Sequence, residues 1–337
     1  MSEACLKHAF SADRYFLQLF QDVSFLIDDW QLPLVVYRSI IQIEFLAINI
    51  MDQRKIVCFF KYGSEDKTFL ECRKNWEFYS SHHKDIMCLF FRGESSDATP
   101  EPTFDGYDYV IGENGRDFAR PNKSTYSQNT NWSQLELWHG MQTWIQAFTY
   151  VVNRFPGSWI IWVNVTAFVS FEALKVVVDR LPGEKVYGGW PLFYRPEAFL
   201  YHSGSSVILS PDVARLLLDR ITGYLGTESI DILWGRLLYD IPRTIIPFIQ
   251  VTPEDLPVSS LKAKLDFVEQ CVESGHFFFR IKNHGLDCPR HLLDPAIQMF
   301  IMTQSLRREP DMAERYLQLI SQAHQRVLRG QGIAVIG

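Results

Sequence analysis

A chain of 337 residues that is 47% hydrophobic and 21% charged has the balance of a folded globular protein, and at this length one α/β domain with peripheral additions is expected. Its formal net charge of -6, with no run of Lys or Arg, removes the electrostatic footprint of a nucleic-acid binder. Six cysteines without a C-x-x-C pair argue against a zinc ribbon or a compact disulfide framework and point to buried thiols in a reducing compartment.

The opening MSEACLKHAF lacks the basic segment and apolar stretch of a secretion signal, so a cytoplasmic location is the expectation. Residues 1–52 read as a helical appendage: Tyr15, Leu19, Phe20 and Val23 recur at helical spacing, and a second apolar helix covers 36–50. Arg38, Gln42 and Glu44 interrupt the segment from Leu32 to Met51, which therefore reads as a packed helix and not a membrane span; peripheral membrane contact stays open. Ile56 to Phe60 is a short apolar run closed by Tyr62-Gly63-Ser64, the pattern of a buried parallel strand. A helix over 67–82, a strand over 85–91, a Ser/Pro-rich loop over 94–103 and a strand over 107–111 follow. The polar stretch from Gly112 to Ser133 is expected to be a long surface loop. Then come a helix over 134–154 and a buried strand over 159–163. Alternating strands and helices predict a mostly parallel sheet covered on both faces, with ligands beyond the carboxyl ends of its strands. Thr252 to Ser260 divides a main domain, 53–250, from a C-terminal part, 251–337, made of a strand and a helical tail over 294–328.

The chemistry concentrates in residues 143–240. Gln142-Thr143 lies on a predicted helix, and Trp162-Val163-Asn164-Val165-Thr166-Ala167-Phe168-Val169-Ser170 ends the next strand. Val186-Tyr187-Gly188-Gly189 follows, and then Tyr201-His202-Ser203-Gly204-Ser205-Ser206-Val207-Ile208-Leu209-Ser210, with a helix over 212–220. Glu228-Ser229-Ile230-Asp231-Ile232-Leu233-Trp234-Gly235 closes the series. In order and spacing these stretches resemble the fringe and beta-1,3-galactosyltransferase family. The resemblance implies a GT-A-like, Rossmann-like fold and an inverting transfer of a hexose or N-acetylhexosamine from a nucleotide sugar, a UDP-sugar first, to a glycan hydroxyl. It leaves open whether the acceptor is a polysaccharide, a capsular or lipid-linked intermediate, or a viral or bacterial glycoprotein.

By that resemblance Asp231 is the catalytic base that accepts the proton of the acceptor hydroxyl, and it is equally suited to cap a helix beginning near Ile232. Ser203, Gly204 and Ser205 match the small-residue turn that, in the family, lets backbone approach the sugar nucleotide or the acceptor. Where the family holds a divalent cation with Asp-x-Asp, this chain has Asn164-Val165-Thr166, which keeps two oxygen-bearing side chains and neither charge, so Mn or Mg is disfavoured. Cations would then meet the diphosphate charge: Arg73, in a stretch that resembles the family's Arg-x-Thr-Trp, and Arg280 and Lys282, unless these two only occupy the wet face of a strand. Lys61 and Tyr62 follow the first strand where a base or ribose would lie, with Tyr62 placed to stack on uracil. His276 is a weak candidate metal ligand that is more often structural in type. Aromatic residues, at 14%, suit stacking on sugars as well as filling a core.

Ser203 and Ser205 have no histidine and acid at hydrolase spacing and no Gly-x-Ser-x-Gly elbow, which argues against serine hydrolysis. No Walker A loop or Gly-x-Gly-x-x-Gly fingerprint supports a kinase or dehydrogenase. Two other readings compete: a catalytically silent glycan- or partner-binding protein of the same fold, for which loss of the aspartates would be natural, and a scaffold that assembles through its helical ends.

Overall fold

The apolar run that begins at Ile56 offers no side to water, and in the computed structural model of the protein both of its faces are buried. The structure describes residues 56–63, 66–94, 101–112, 134–222, 224, 229–247, 249–251, 261–281, 289–308, 312–329 and 334–336. In chain order these form β1 (Ile56–Gly63), α1 (Lys67–Ser80), β2 (Ile86–Glu94), β3 (Thr103–Phe104), β4 (Tyr109–Gly112), α2 (Gln134–Arg154), β5 (Trp159–Val163), β6 (Ala167–Val169), α3 (Phe171–Arg180), β7 (Tyr187–Tyr194), β8 (Phe199–Leu209), α4 (Pro211–Ile221), α5 (Ile230–Leu237), β9 (Arg243–Ile245), β10 (Ile249–Val251), α6 (Leu261–Glu273), β11 (Phe278–Ile281), α7 (Arg290–Arg308), α8 (Ala313–Leu328) and β12 (Ala334–Ile336). The appendage expected over 1–52, the loop over 113–133, the divider over 252–260 and Lys282 lie outside the described residues.

The main sheet runs β12-β7-β8-β5-β1-β2-β4-β3, with β9 also paired to β7. β1 is parallel to β2 and β5, β2 to β4, and β7 to β9 and β12, whereas β8 and β3 run antiparallel to their neighbours. The fold class is thus α/β, a mixed and mostly parallel sheet flanked by helices. The chain lays β2 and β4 on one side of β1, then crosses back to place β5 on the other. Strand order reverses at β1, so the carboxyl ends of β1 and β5 border the crevice in which such sheets hold ligands.

Period-two alternation sends successive residues to opposite cores. Cys58, Phe60, Ile161 and Val163 pack with Trp76 of α1 and with residues of α3, α6 and α7. Val57, Phe59, Ile160 and Trp162 pack on the other face against Trp144 and Phe148 of α2, Leu217 of α4 and Trp234 of α5. Helix starts follow local chemistry: the Asp66 carboxylate accepts the Thr68 N–H at 2.8 Å ahead of α1, and Ser170 Oγ accepts the Ala173 N–H at 3.2 Å ahead of α3.

Three departures from the sequence expectation bear on function. β4 starts at Tyr109, later than the spacing predicts, because the Asp105 carboxylate accepts N–H groups from Tyr107 at 2.9 Å and Asp108 at 2.8 Å and closes a turn before it. The C-terminal part is woven into both sheets: β12 pairs with β7, and β11 joins β10 and β6 in a second sheet, with Arg280 opposite Ala167. Its helical tail comprises α7 and α8, and begins at Arg290 instead of 294. Among the described residues no helix is long and apolar enough to cross a membrane.

Candidate functional site

β5 ends at Val163, and Asn164 turns the chain toward β6. The Asn164 side-chain oxygen accepts the Thr166 N–H at 3.1 Å and the Thr166 hydroxyl at 2.9 Å, while the Ala167 N–H donates to the Asn164 carbonyl at 2.8 Å. The two side chains that stand where the resemblance puts metal-binding aspartates therefore bond to each other. A neutral amide oxygen that already accepts two hydrogen bonds, with a neutral hydroxyl beside it and no carboxylate, is a poor fit for a hard divalent cation, which is usually held by at least one carboxylate. Among the described residues no group of three or more His, Cys, Asp or Glu could hold a metal ion.

Because β8 runs antiparallel to β5, its first half lies beside this turn, and the Asn164 N–H donates to the Ser205 carbonyl at 3.0 Å. The hydroxyls of Ser203 and Ser205, both buried, stand 3.1 Å apart. Gly204 between them donates its N–H to Asp231 Oδ2 at 3.2 Å. A Cβ on Gly204 would come within 3.3 Å of the Trp162 ring and 3.4 Å of Asp231 Oδ2, so a glycine permits the close approach. Asp231 lies in the first turn of α5, whose N-cap position is Ser229; the helix starts at Ile230, two residues before the start read from the sequence. Asp231 Oδ1 accepts the Ile232 N–H at 3.1 Å and the Ser229 hydroxyl. A carboxylate suits a helix N-terminus, and Oδ2, with one donor, keeps an acceptor direction open. The helix-end and proton-acceptor roles are compatible.

Arg280 completes the group. The alternation over 276–282 allowed a wet-face position, and Arg280 is half-buried opposite Ala167; burial pushes its pKa down while the negative charge of Asp231 partly offsets the effect. Among the described residues no hydrogen bond or ion pair occupies its guanidinium, including none to Asp231. Tyr201, on β8, joins the same neighbourhood: burial and the Asp231 charge push its hydroxyl up to about 12. Sequence reasoning passed over Tyr201, whose only signal was its place at the head of the small-residue stretch.

The remaining candidates behave differently. Tyr62 donates its hydroxyl to Asp108, and Arg73 donates Nε and Nη2 to Asp108 Oδ1 at 3.0 and 2.8 Å. The Arg73 guanidinium also lies 3.7 Å from the Phe90 ring centroid and 4.4 Å from that of Tyr107. Both side chains are buried, so Tyr62 is not placed to stack on a base and Arg73 is already committed to a carboxylate. The cause is Asp108 itself, a carboxylate 1% exposed that must be paired and hydrogen-bonded. Lys61 is half-buried near the carboxyl end of β1, level with Phe91 of β2. His276 Nδ1 lies 3.2 Å from the Cys271 carbonyl, and burial lowers its pKa; it belongs to no cluster of ligand groups among the described residues.

No family model and no curated protein matches this chain. Among solved structures, one to which it is similar is a glycosyltransferase involved in the glycosylation of the major capsid of PBCV-1, at 11% identity and a TM-score of 0.35, covering 72% of this chain and 99% of that one. Another is the galactosyltransferase LgtC in complex with donor and acceptor sugar analogs, at 10% identity and a TM-score of 0.35, covering 59% of this chain and 77% of that one. Likeness at this level leaves the reading of the chain to its own residues.

Proposed function

We propose that the protein is a glycosyltransferase of GT-A type that moves a sugar from a nucleotide sugar, a UDP-sugar first, to a glycan hydroxyl, with inversion and without a divalent cation. The observation that carries this reading is the pairing of unmet capacities at the carboxyl end of the sheet. Arg280 is a half-buried cation that meets no hydrogen bond or ion pair among the described residues, and Asp231, close enough for its charge to act on Arg280, keeps an open lone pair. A half-buried cation with no partner among the described residues suits an anionic ligand. Inversion comes from the family resemblance.

In this mechanism the acceptor oxygen attacks the anomeric carbon as the bond from that carbon to the diphosphate oxygen breaks. Asp231 Oδ2 takes the acceptor proton, and the diphosphate leaves with the bonding pair toward Arg280. Asn164, Thr166 and the backbone around Gly204 line the diphosphate and sugar, with Ser203 and Ser205 holding that backbone. Lys61 serves the nucleotide from the β1 side, and Lys282 adds positive charge. Tyr62 and Arg73 act through Asp108 to fix the wall.

Thermal-shift measurement against UDP-, GDP-, dTDP- and CMP-sugars, each with and without manganese, tests the reading, because a ligand of the native state raises its apparent stability. A shift with one nucleotide that is indifferent to manganese is expected. A shift that needs manganese would overturn the metal-free mechanism, and no shift at all would leave the silent or scaffold readings in its place.

A further inference from the structure

Gln298 is a fully buried amide in a row of apolar neighbours on α7, among them Leu293, Ile297, Ile301 and Met302. A leucine there would fill the same space without the cost of burying an amide, so the polar atoms need a reason. They have one at a distance of more than 130 residues along the chain. Gln298 Nε2 donates to the Val165 carbonyl and to the Ala167 carbonyl, each at 2.8 Å. These carbonyls flank Thr166. Trp76 Nε1 of α1 donates to the same Val165 carbonyl at 3.0 Å, and the Gln298 side-chain oxygen accepts from Asn75 Nδ2 at 3.2 Å. Asn75 Nδ2 also donates to the Pro295 carbonyl at 2.7 Å, which fixes the pair to α7.

We propose that Gln298 is a positioning residue for the sugar-nucleotide site, clamping the Asn164–Thr166 turn from behind in place of a cation that would tie it from the front. The proposal rests on the reading of that turn as part of a nucleotide-sugar site. Where two aspartates share a metal ion, the ion fixes the turn; here the two side chains are neutral, and the backbone is held by two N–H groups of one amide. The clamp reaches Arg280 as well. Ala167, one of the two clamped residues, is the strand partner of Arg280, so Gln298 sets the spacing between the neutral turn and that cation.

The experiment replaces Gln298 by Met, similar in length and without hydrogen-bonding power, and compares it with Gln304→Met. Gln304 is buried on the same helix, with its side-chain oxygen bonded to Arg308. Hydrogen exchange of the amides over 164–169 is read together with the affinity for whichever of UDP, GDP or dTDP gives the largest thermal shift, below both melting temperatures. Gln298→Met should speed exchange in the turn and weaken nucleotide binding on the order of tenfold, as two lost hydrogen bonds would, and Gln304→Met should leave both near wild type. Wild-type exchange in Gln298→Met would overturn the clamp. Faster exchange with unchanged affinity would overturn its positioning role. If the wild-type protein binds no nucleotide, the functional reading fails and takes the positioning role with it, while exchange still decides whether the clamp exists. Should Gln298→Met not fold, Asn75→Ala removes the group that orients the Gln298 amide; a smaller change of the same sign in both readouts supports the proposal, and wild-type values in both overturn it.

Discussion

Asp231 and Arg280 would divide the work between proton and diphosphate, and substitution should separate them. Asp231→Asn keeps an oxygen for the Gly204 N–H and removes the proton acceptor, so turnover should fall by about 10²–10⁴ with nucleotide affinity near wild type. Arg280→Met keeps much of the packing and removes the charge. Nucleotide affinity should fall by about 1.5–3 kcal/mol, the worth of a hydrogen bond to a charged group, and the residual binding should be less sensitive to salt. Equilibrium binding measured beside single-turnover rates checks both, and equal losses of affinity in the two variants would show that one group does not act on the proton and the other on the diphosphate. The place of Asp231 at the start of a helix was legible because an acid ahead of an apolar run is a local pattern, while its role as base comes from the resemblance alone. The bonds of Tyr62 and Arg73 to Asp108 were not legible, because Asp108 lies 46 and 35 residues further along and is delivered by a turn that periodicity does not encode.

At the scale of elements, legibility follows burial. β1, β2 and β5 could be read because strands covered on both faces are continuous apolar runs, and α2 and α4 because their apolar residues repeat at helical spacing. The pairing of β11 was hidden for the converse reason: alternation shows which residues share a face, but not that the strand enters a second sheet with β6 and β10. The seat of α5 on β8 was also hidden. Gly235 packs so close to β8 that a Cβ would meet the Tyr201 Cβ at 2.3 Å and Phe199 Cε2 at 2.8 Å. In an isolated helix Gly to Ala gains about 1 kcal/mol, but a contact this short against a Cβ next to the backbone cannot be relieved by rotating a side chain. Gly235→Ala should therefore lose about 1–3 kcal/mol in urea unfolding. It should also reduce turnover, since α5 carries Asp231. A gain in stability would mean that α5 does not sit on β8 as described.

At the scale of the whole molecule, stability should respond to pH chiefly through one histidine buried on β8. His202 is fully buried on β8, its ring edge-on to Tyr187 at 4.5 Å between centroids, with Nε2 2.9 Å from the Tyr187 carbonyl. Arg243 lies 4.7 Å from the centroid of the same Tyr187 ring, and a Cβ on Gly189 would fall 2.9 Å from the His202 Cβ, so the imidazole is closely packed beside a cation. Burial first and the Arg243 charge second push the His202 pKa down to about 3. In the unfolded chain the imidazole titrates near its ordinary value of about 6.5. Between those two values the unfolded state binds a proton that the folded state refuses, so stability is full above about pH 6.5 and declines as pH falls, by about 1.4 kcal/mol per pH unit from this group. His276, also lowered by burial, adds to the slope with the same sign. Carboxylates complicate the lower part of the window, so urea midpoints from about pH 6.5 down to about 5 isolate the histidine contribution. His202→Gln carries its own packing cost, but the quantity to read is the slope: it should flatten relative to wild type. Parallel slopes would show that the imidazole reaches water or a counter-charge at the centre of β8, and the close packing of β7 against β8 that brings Ser203–Ser205 beside the Asn164 turn would have to be revised.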